Sequence, residues 1–286
     1  MKNSLKLFTL IFIAALTRLA TDIYLPSLPS IAKEFQVSMD ESQMTIALFM
    51  IALTISQLFW GTLSDRIGRK KTLSFGLFIC MFGSLVCMNA TSINMLMIGR
   101  FIQGIGCGAS AGLFRAVLRD MYSGRELASI GSYFSNFLVF VLILAPLIGG
   151  YIEEHYYWQM SFTFLMAWCL LCVLMIHYTF KETKKVKTKT DSRTAYKRLL
   201  SSPLFMGCCL SNFLSYAGMF AWITCSSSLL ISQLKMSPLN FGFWSGLTGL
   251  GLMLGAFFNG TYVKKIGPQK MLLIEWSLAM GSGAFL

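Results

Sequence analysis

Apolar runs of about twenty residues, separated by short polar or basic segments, recur along the whole chain. A helix of that length covers about 30 Å, the thickness of a bilayer's hydrocarbon. The pattern predicts membrane-spanning helices over about 6–25, 44–63, 72–88, 93–116, 128–149, 158–180, 204–230 and 241–263, and a ninth run starts at Met271. Lys2 and Lys6 before the first run imitate a secretory signal. That run nevertheless carries Arg18 and Asp22, closes at Pro26 and Pro29 and has no convincing cleavage site, so it is read as the first span. The only long polar stretch, 181–203, is a basic linker. It divides the chain into a six-helix bundle (1–180) and a second part (204–286) with two complete helices and a partial third. The expected fold is an all-α polytopic membrane protein: an N-terminal six-helix bundle followed by an incomplete C-terminal one.

Composition agrees with that reading. Residues of the AVILMFWYC set make up 55% of the chain and charged residues 13%, with a mean hydropathy of +0.64. A soluble domain carries roughly a quarter charged residues. The net charge of +12 would suit nucleic acid, but its placement explains it better. With the N-terminus inside, the cytoplasmic segments collect Lys2 and Lys6, then Arg66 to Lys71, then Arg115, Arg119 and Arg125, the 181–203 linker, and Lys264, Lys265 and Lys270. Those segments hold nearly every cation, as the positive-inside rule requires, so no nucleic-acid partner is implied. The eight cysteines sit mostly within apolar runs, without metal or disulfide spacing, and Cys169 and Cys172 form a C-x-x-C inside a helix. With only His155 and His177 and no paired catalytic constellation, an enzyme is disfavoured. No metal or cofactor is implied.

The two parts repeat. Phe59, Gly61, Thr62, Ile67, Gly68 and Lys71 recur 199 positions later as Phe258, Gly260, Thr261, Ile266, Gly267 and Lys270, each set between the second and third spans of its part. Internal repeats of this kind build many secondary transporters. Two such halves make a chain of about 398 residues, so this sequence is expected to be truncated.

Gly61-Thr-Leu-Ser-Asp65-Arg66-Ile-Gly68-Arg69-Lys70 joins the second and third spans. It resembles the G-x-L-a-D-R-x-G-R-[KR] signature of the major facilitator superfamily. Its glycines allow close helix ends, and its charges can form an ion-pair latch with Arg119 and Asp120, which end the fourth span on the same face. Such a latch would favour the outward-open state. Asp22-Ile-Tyr24-Leu-Pro26-Ser-Leu-Pro29, Arg100-Phe-Ile-Gln103-Gly104-Ile-Gly106 and Ala145-Pro146-Leu-Ile-Gly149-Gly150 are similar to the first-, fourth- and fifth-helix motifs of drug:proton antiporters. In the last, Ala145 and Val141 replace two of the motif's glycines, and Pro146 permits a kink. Arg119-Asp120-Met-Tyr122 and Tyr216-Ala-Gly-Met-Phe220 resemble the bicyclomycin-resistance (Bcr/CflA) efflux branch. The resemblance implies the major facilitator fold, two bundles around a cavity that opens alternately to each side. It also implies proton-driven export of small amphipathic compounds across the bacterial inner membrane, by a monomer when full length.

A charge within a span costs several kcal/mol unless compensated, so it marks function. Asp22 and Arg100 each lie about 22–24 Å from the cytoplasmic end of their helices, at nearly equal depth. An Asp22–Arg100 interaction, direct or through water, is expected to couple protons to transport; a static ion pair is the alternative. Arg18, one turn before Asp22, departs from the branch. It can pair with Asp22 and bias the cavity toward anionic or zwitterionic substrates, or simply reach water. Tyr24, Phe140, Phe220 and Trp222 are candidates for stacking on substrate, and Gln103 for orienting Arg100. Three functional readings follow: a proton-coupled drug exporter, an exporter of an endogenous metabolite such as an amino acid, and a non-transporting remnant of either.

Overall fold

The computed structural model describes residues 2–180 and 200–267, together with 270, 273, 274, 277 and 278. Most of the expected linker and of the ninth run lies outside the described residues. Among those described, all regular structure is helical. Hydrocarbon offers no partner for a backbone N–H or C=O, and an α-helix satisfies both within itself. In chain order the helices are α1 (Lys2–Asp22), α2 (Leu28–Glu34), α3 (Met39–Ile67), α4 (Arg69–Met88) and α5 (Ile93–Met121). They continue with α6 (Gly124–His155), α7 (Gln159–Thr179), α8 (Pro203–Ser227) and α9 (Pro238–Ile266). Seven of the described spans are long and apolar enough to cross a membrane, the first of them running through α1 and α2 as Leu5–Glu34.

That first span is broken past its midpoint. α1 stops at Asp22, a single 3-10 turn covers Leu25–Ser27, and α2 carries the chain on. Pro26 and Pro29 sit in the first turns of these two elements, where a missing N–H does no harm but where the preceding helix cannot continue. The seventh span also changes character. α8 passes at Ser228 into a π-helix, Ser228–Gln233, so the Cys225-Ser-Ser-Ser segment leads into a widened helix and not into a regular one. Serines fix several helix starts. Ser38 and Glu41 form a reciprocal capping box at α3, and the Ser237 hydroxyl accepts from the Asn240 N–H at α9.

α5 is the centre of the first bundle, packed along α3 on one side and α4 on the other; α4 also packs on α7, and α1 touches α5, α6 and α7. Close approach depends on glycines: a Cβ on Gly104 would meet the Phe49 carbonyl of α3, and one on Gly106 would meet the Cys80 backbone of α4. α9 lies along α6, while α8 packs chiefly on the turn after α1 and on its own π-helix.

The repeat reaches well beyond the motif that first showed it. α9 begins and ends 199 residues after α3. The described backbone has positive φ at Gln36 (54°), Lys235 (52°), Gly68 (101°) and Gly267 (87°), two pairs at the same offset. The capping serines Ser38 and Ser237 form a third such pair.

Gly106→Ala is expected to lower thermal stability in detergent by about 1–3 kcal/mol through overpacking against α4. Gly61→Ala, whose Cβ would meet nothing within 4 Å, is expected to be neutral or stabilising by up to about 1 kcal/mol. Unfolding midpoints of the two variants check this contrast.

Candidate functional site

Asp22 is the last residue of α1 and only 2% exposed. Its Oδ2 makes no hydrogen bond within the described protein. The carboxyl borders a cavity of about 470 Å³ where α1, α6, α8 and α9 come together. Leu25, Leu142 and Pro146 form one wall; Met219, Trp222, Ser226 and Leu230 form the wall from the seventh span; Phe241, Trp244, Ser245 and Thr248 form the wall from α9. The lining is therefore aromatic and thioether-rich, with a single carboxyl and a few hydroxyls. Pro146, inside α6, leaves the Leu142 carbonyl without its usual helical donor at this same wall.

Arg100 does not face this cavity. It is fully buried on α5, and its Nη1 donates to the Ala20 carbonyl at 3.0 Å and to the Gln103 side chain. Its guanidinium carbon lies 4.1 Å from the centre of the Phe49 ring, 4.9 Å from Tyr24 and 5.9 Å from Phe162. Tyr24 is held by a 3.0 Å hydrogen bond to Thr45 and packs on Phe162. Gln103 donates in turn to Ser84 at 2.8 Å. Three rings, a carbonyl and an amide thus stand where a carboxylate was expected, and desolvated cation–π contacts reach about 2 kcal/mol each. The direct Asp22–Arg100 ion pair is not formed. Arg100 binds the backbone two residues before Asp22 and leaves the carboxyl to the cavity. Arg18 lies close enough to act electrostatically on Asp22 but makes no ion pair with it among the described residues, and it does not line the cavity.

The expected cavity residues divide accordingly. Trp222 lines the cavity and is 48% exposed. Tyr24 and Gln103 belong to the enclosure of Arg100. Phe140 is 51% exposed on α6 and Phe220 half-buried on α8, both outside the lining. The residues that sequence reasoning missed include Phe241, Trp244, Ser245 and Thr248, spaced three, one and three apart along α9. That is a single helix face, a signal the sequence carried.

The latch charges meet, and of the three expected arginines Arg69 is the one at their centre. Arg69, at the start of α4, donates through Nε to Asp120 Oδ2 at 3.1 Å and pairs with Asp65 at 2.9 Å; it also reaches the Ser64 hydroxyl. These are the ion pairs among the described residues, and they join α3, α4 and α5 at one end of the bundle. Neither Arg66 nor Arg119 takes part in them. Arg66 instead borders a groove of about 490 Å³ lined by Ile55, Phe59, Phe101 and Ile105. Gly68 serves as both the end of α3 and the cap of α4 at φ 101°, a conformation that costs a side chain roughly 1–3 kcal/mol. Gly61, by contrast, has open space around it. The Lys264 that replaces Asp65 in the second copy lies outside the described side chains.

Pro146, Gly149 and Gly150 make α6 a close-packing element with partners on both sides. A Cβ on Gly149 would meet the Ile23 carbonyl, one on Gly150 the Pro238 carbonyl, and one on Gly242 the Pro146 carbonyl. The helix runs unbroken through Pro146. At the end opposite the latch, the Glu154 carboxylate accepts from the Leu239 N–H at 3.1 Å and caps α9.

Several known proteins are similar to this chain in sequence or in fold. The bicyclomycin resistance protein homolog of Haemophilus influenzae is 28% identical over 98% of this chain and 72% of its own length. An uncharacterized MFS-type transporter, YdgK, of Bacillus subtilis is 32% identical over 98% of this chain and 71% of its own. Multidrug resistance protein D of Escherichia coli is 28% identical, with 91% of this chain and 66% of that protein covered. Among solved structures, an inward-facing bacterial homolog of the human lysosomal transporter Spinster matches 94% of this chain with a TM-score of 0.77 at 18% identity. A D-xylose–proton symporter matches 93% with a TM-score of 0.70 at 16% identity. The chain spans 64% and 70% of those two structures. With the family model matching residues 10–286, the chain belongs to the Major Facilitator Superfamily, whose members are multi-pass membrane transporters and not enzymes.

Proposed function

We propose that this chain carries the proton- and substrate-binding machinery of a drug:proton antiporter of the bacterial inner membrane, with its N-terminus in the cytoplasm. The observation that carries the reading is the Asp22 carboxyl, buried and without a hydrogen bond at Oδ2, facing an apolar aromatic cavity. A carboxylate in such a place accepts one positive charge at a time, either a proton or an amphipathic cation. Opening toward the outside loads the proton; opening toward the cytoplasm releases it and admits substrate. Antiport follows because the two occupants exclude each other. Trp222 and Trp244 supply ring faces for the cation, and the methionines adapt to its shape.

The names of the bicyclomycin and multidrug resistance relatives support export of foreign compounds over export of an endogenous metabolite. So does the position of Arg18 outside the lining, since a zwitterionic or anionic substrate would need a cation there. The latch end, with Arg69, Asp120 and the basic loops, is assigned to the cytoplasm by the positive-inside rule. The energy source is the proton gradient and no cofactor takes part.

In an efflux-deficient bacterium, expression of the complete protein is expected to give protonophore-sensitive expulsion of lipophilic cations. Asp22→Asn should abolish it while membrane insertion stays intact; pH-dependent export retained by that variant would overturn the assignment. For the latch, Asp120→Asn is expected to slow transport and cost about 1.5–3 kcal/mol, because Asp120 is only 13% exposed. Asp65→Asn, at a position 67% exposed, should cost less than about 1 kcal/mol. Substrate affinity should change little in either, and an equal loss of rate and affinity would contradict a switching role.

A further inference from the structure

Three buried thiols from three helices meet in the core of the first bundle. Cys80 of α4 lies with its Sγ 3.3 Å from the Sγ of Cys107 on α5 and 3.5 Å from that of Cys169 on α7. All three residues are fully buried, and the transport reading uses none of them. We propose that they form a thiol-oxidation site in the membrane interior, at which Cys80 makes a disulfide with either Cys107 or Cys169, never with both.

The geometry makes Cys80 the shared partner. A disulfide bond is about 2.05 Å long, so either pair must close by little more than 1 Å, and each lies across a helix interface. α4 approaches α5 here with no side chain between, since Gly106 presents bare backbone to Cys80.

The oxidant must be a membrane-permeant two-electron acceptor, such as an azo compound. Two S–H bonds break and one S–S bond forms, while two protons and two electrons reduce the N=N bond to a hydrazine. The third thiol remains reduced and can exchange with the disulfide by attacking at Cys80. Cys80 is also one turn from the support of Arg100. Its carbonyl accepts from the Ser84 hydroxyl at 2.9 Å, and Ser84 accepts from Gln103, which holds Arg100. Oxidation thus fastens α4 to α5 or α7 at the turn from which the Arg100 enclosure is hung.

The test uses membranes containing the full chain, with the exposed Cys208, Cys209 and Cys225 changed to Ser to prevent links between copies. The vesicles are treated with the azo oxidant diamide, denatured, alkylated and digested without reduction, and disulfide-linked peptides are identified by mass spectrometry. Most of Cys80 is expected to leave the free-thiol pool, joined to Cys107 or Cys169. Cys107→Ala should redirect it wholly to Cys169, Cys169→Ala wholly to Cys107, and Cys80→Ala should leave the other two reduced. Free Cys80 in the otherwise native chain, with glutathione in the same vesicles fully oxidised, would overturn the proposal. A Cys107–Cys169 disulfide in the Cys80→Ala protein would overturn the central role of Cys80.

Discussion

A guanidinium in hydrocarbon must be enclosed by polar atoms and ring faces before anything around it can pack, and Arg100 is the cation that sets this demand here. Its enclosure draws on most of the first bundle. Ala20 and Tyr24 come from the first span, Phe49 from α3 and Phe162 from α7, while Gln103 on α5 passes the connection to Ser84 on α4. Tyr24 is positioned by the break after α1, which the prolines impose, and by its bond to Thr45. The broken first span, the close approach of α4 and α5 and the position of Asp22 all serve this one requirement.

Arg100 bonds backbone and amide through Nη1 alone and is otherwise faced by rings, its Nε and Nη2 making no hydrogen bond among the described residues, and Asp22 is left to the cavity. A direct ion pair would have neutralised both residues and held the carboxyl away from substrate. Instead the carboxyl borders the seam where α1 and α6 meet α8 and α9 and so join the two repeated parts. Glycines on α6 and α9 bring these helices backbone to backbone. The Asp65–Arg69–Asp120 cluster and the Glu154 cap of α9 lie at opposite ends of this assembly. A rocking motion about the seam would load one end as it relieved the other.

Hydrophobic periodicity made the helical architecture legible, since lipid allows few alternatives to a run of twenty apolar residues. The repeat was legible too, because Gly68 and Gly267 are required by a positive φ and therefore leave a mark in the sequence. Arg100 reaches α1 at the Ala20 carbonyl, two residues before Asp22. Rotation about the helix axis was not legible. Two residues, about half a helical turn, separate the Asp22 carboxylate from the Ala20 carbonyl, and a cation–π enclosure assembled from Tyr24, Phe49 and Phe162 has no local spacing by which to recognise it. The same blindness placed Phe140 and Phe220 in the cavity and left Arg66, Arg69 and Arg119 undistinguished as latch arginines, of which Arg69 makes both ion pairs. The thiol cluster was invisible for a related reason, since its members come from three helices and the one C-x-x-C contributes a single member.

The central claim is that a proton and a cationic substrate compete for the Asp22 carboxyl. It is tested most directly by proton release on binding, with purified protein in weakly buffered detergent and tetraphenylphosphonium as the probe. The account predicts that binding releases a proton from the native protein and none from Asp22→Asn. Equal release from both proteins, or binding to the native protein without release, would contradict it.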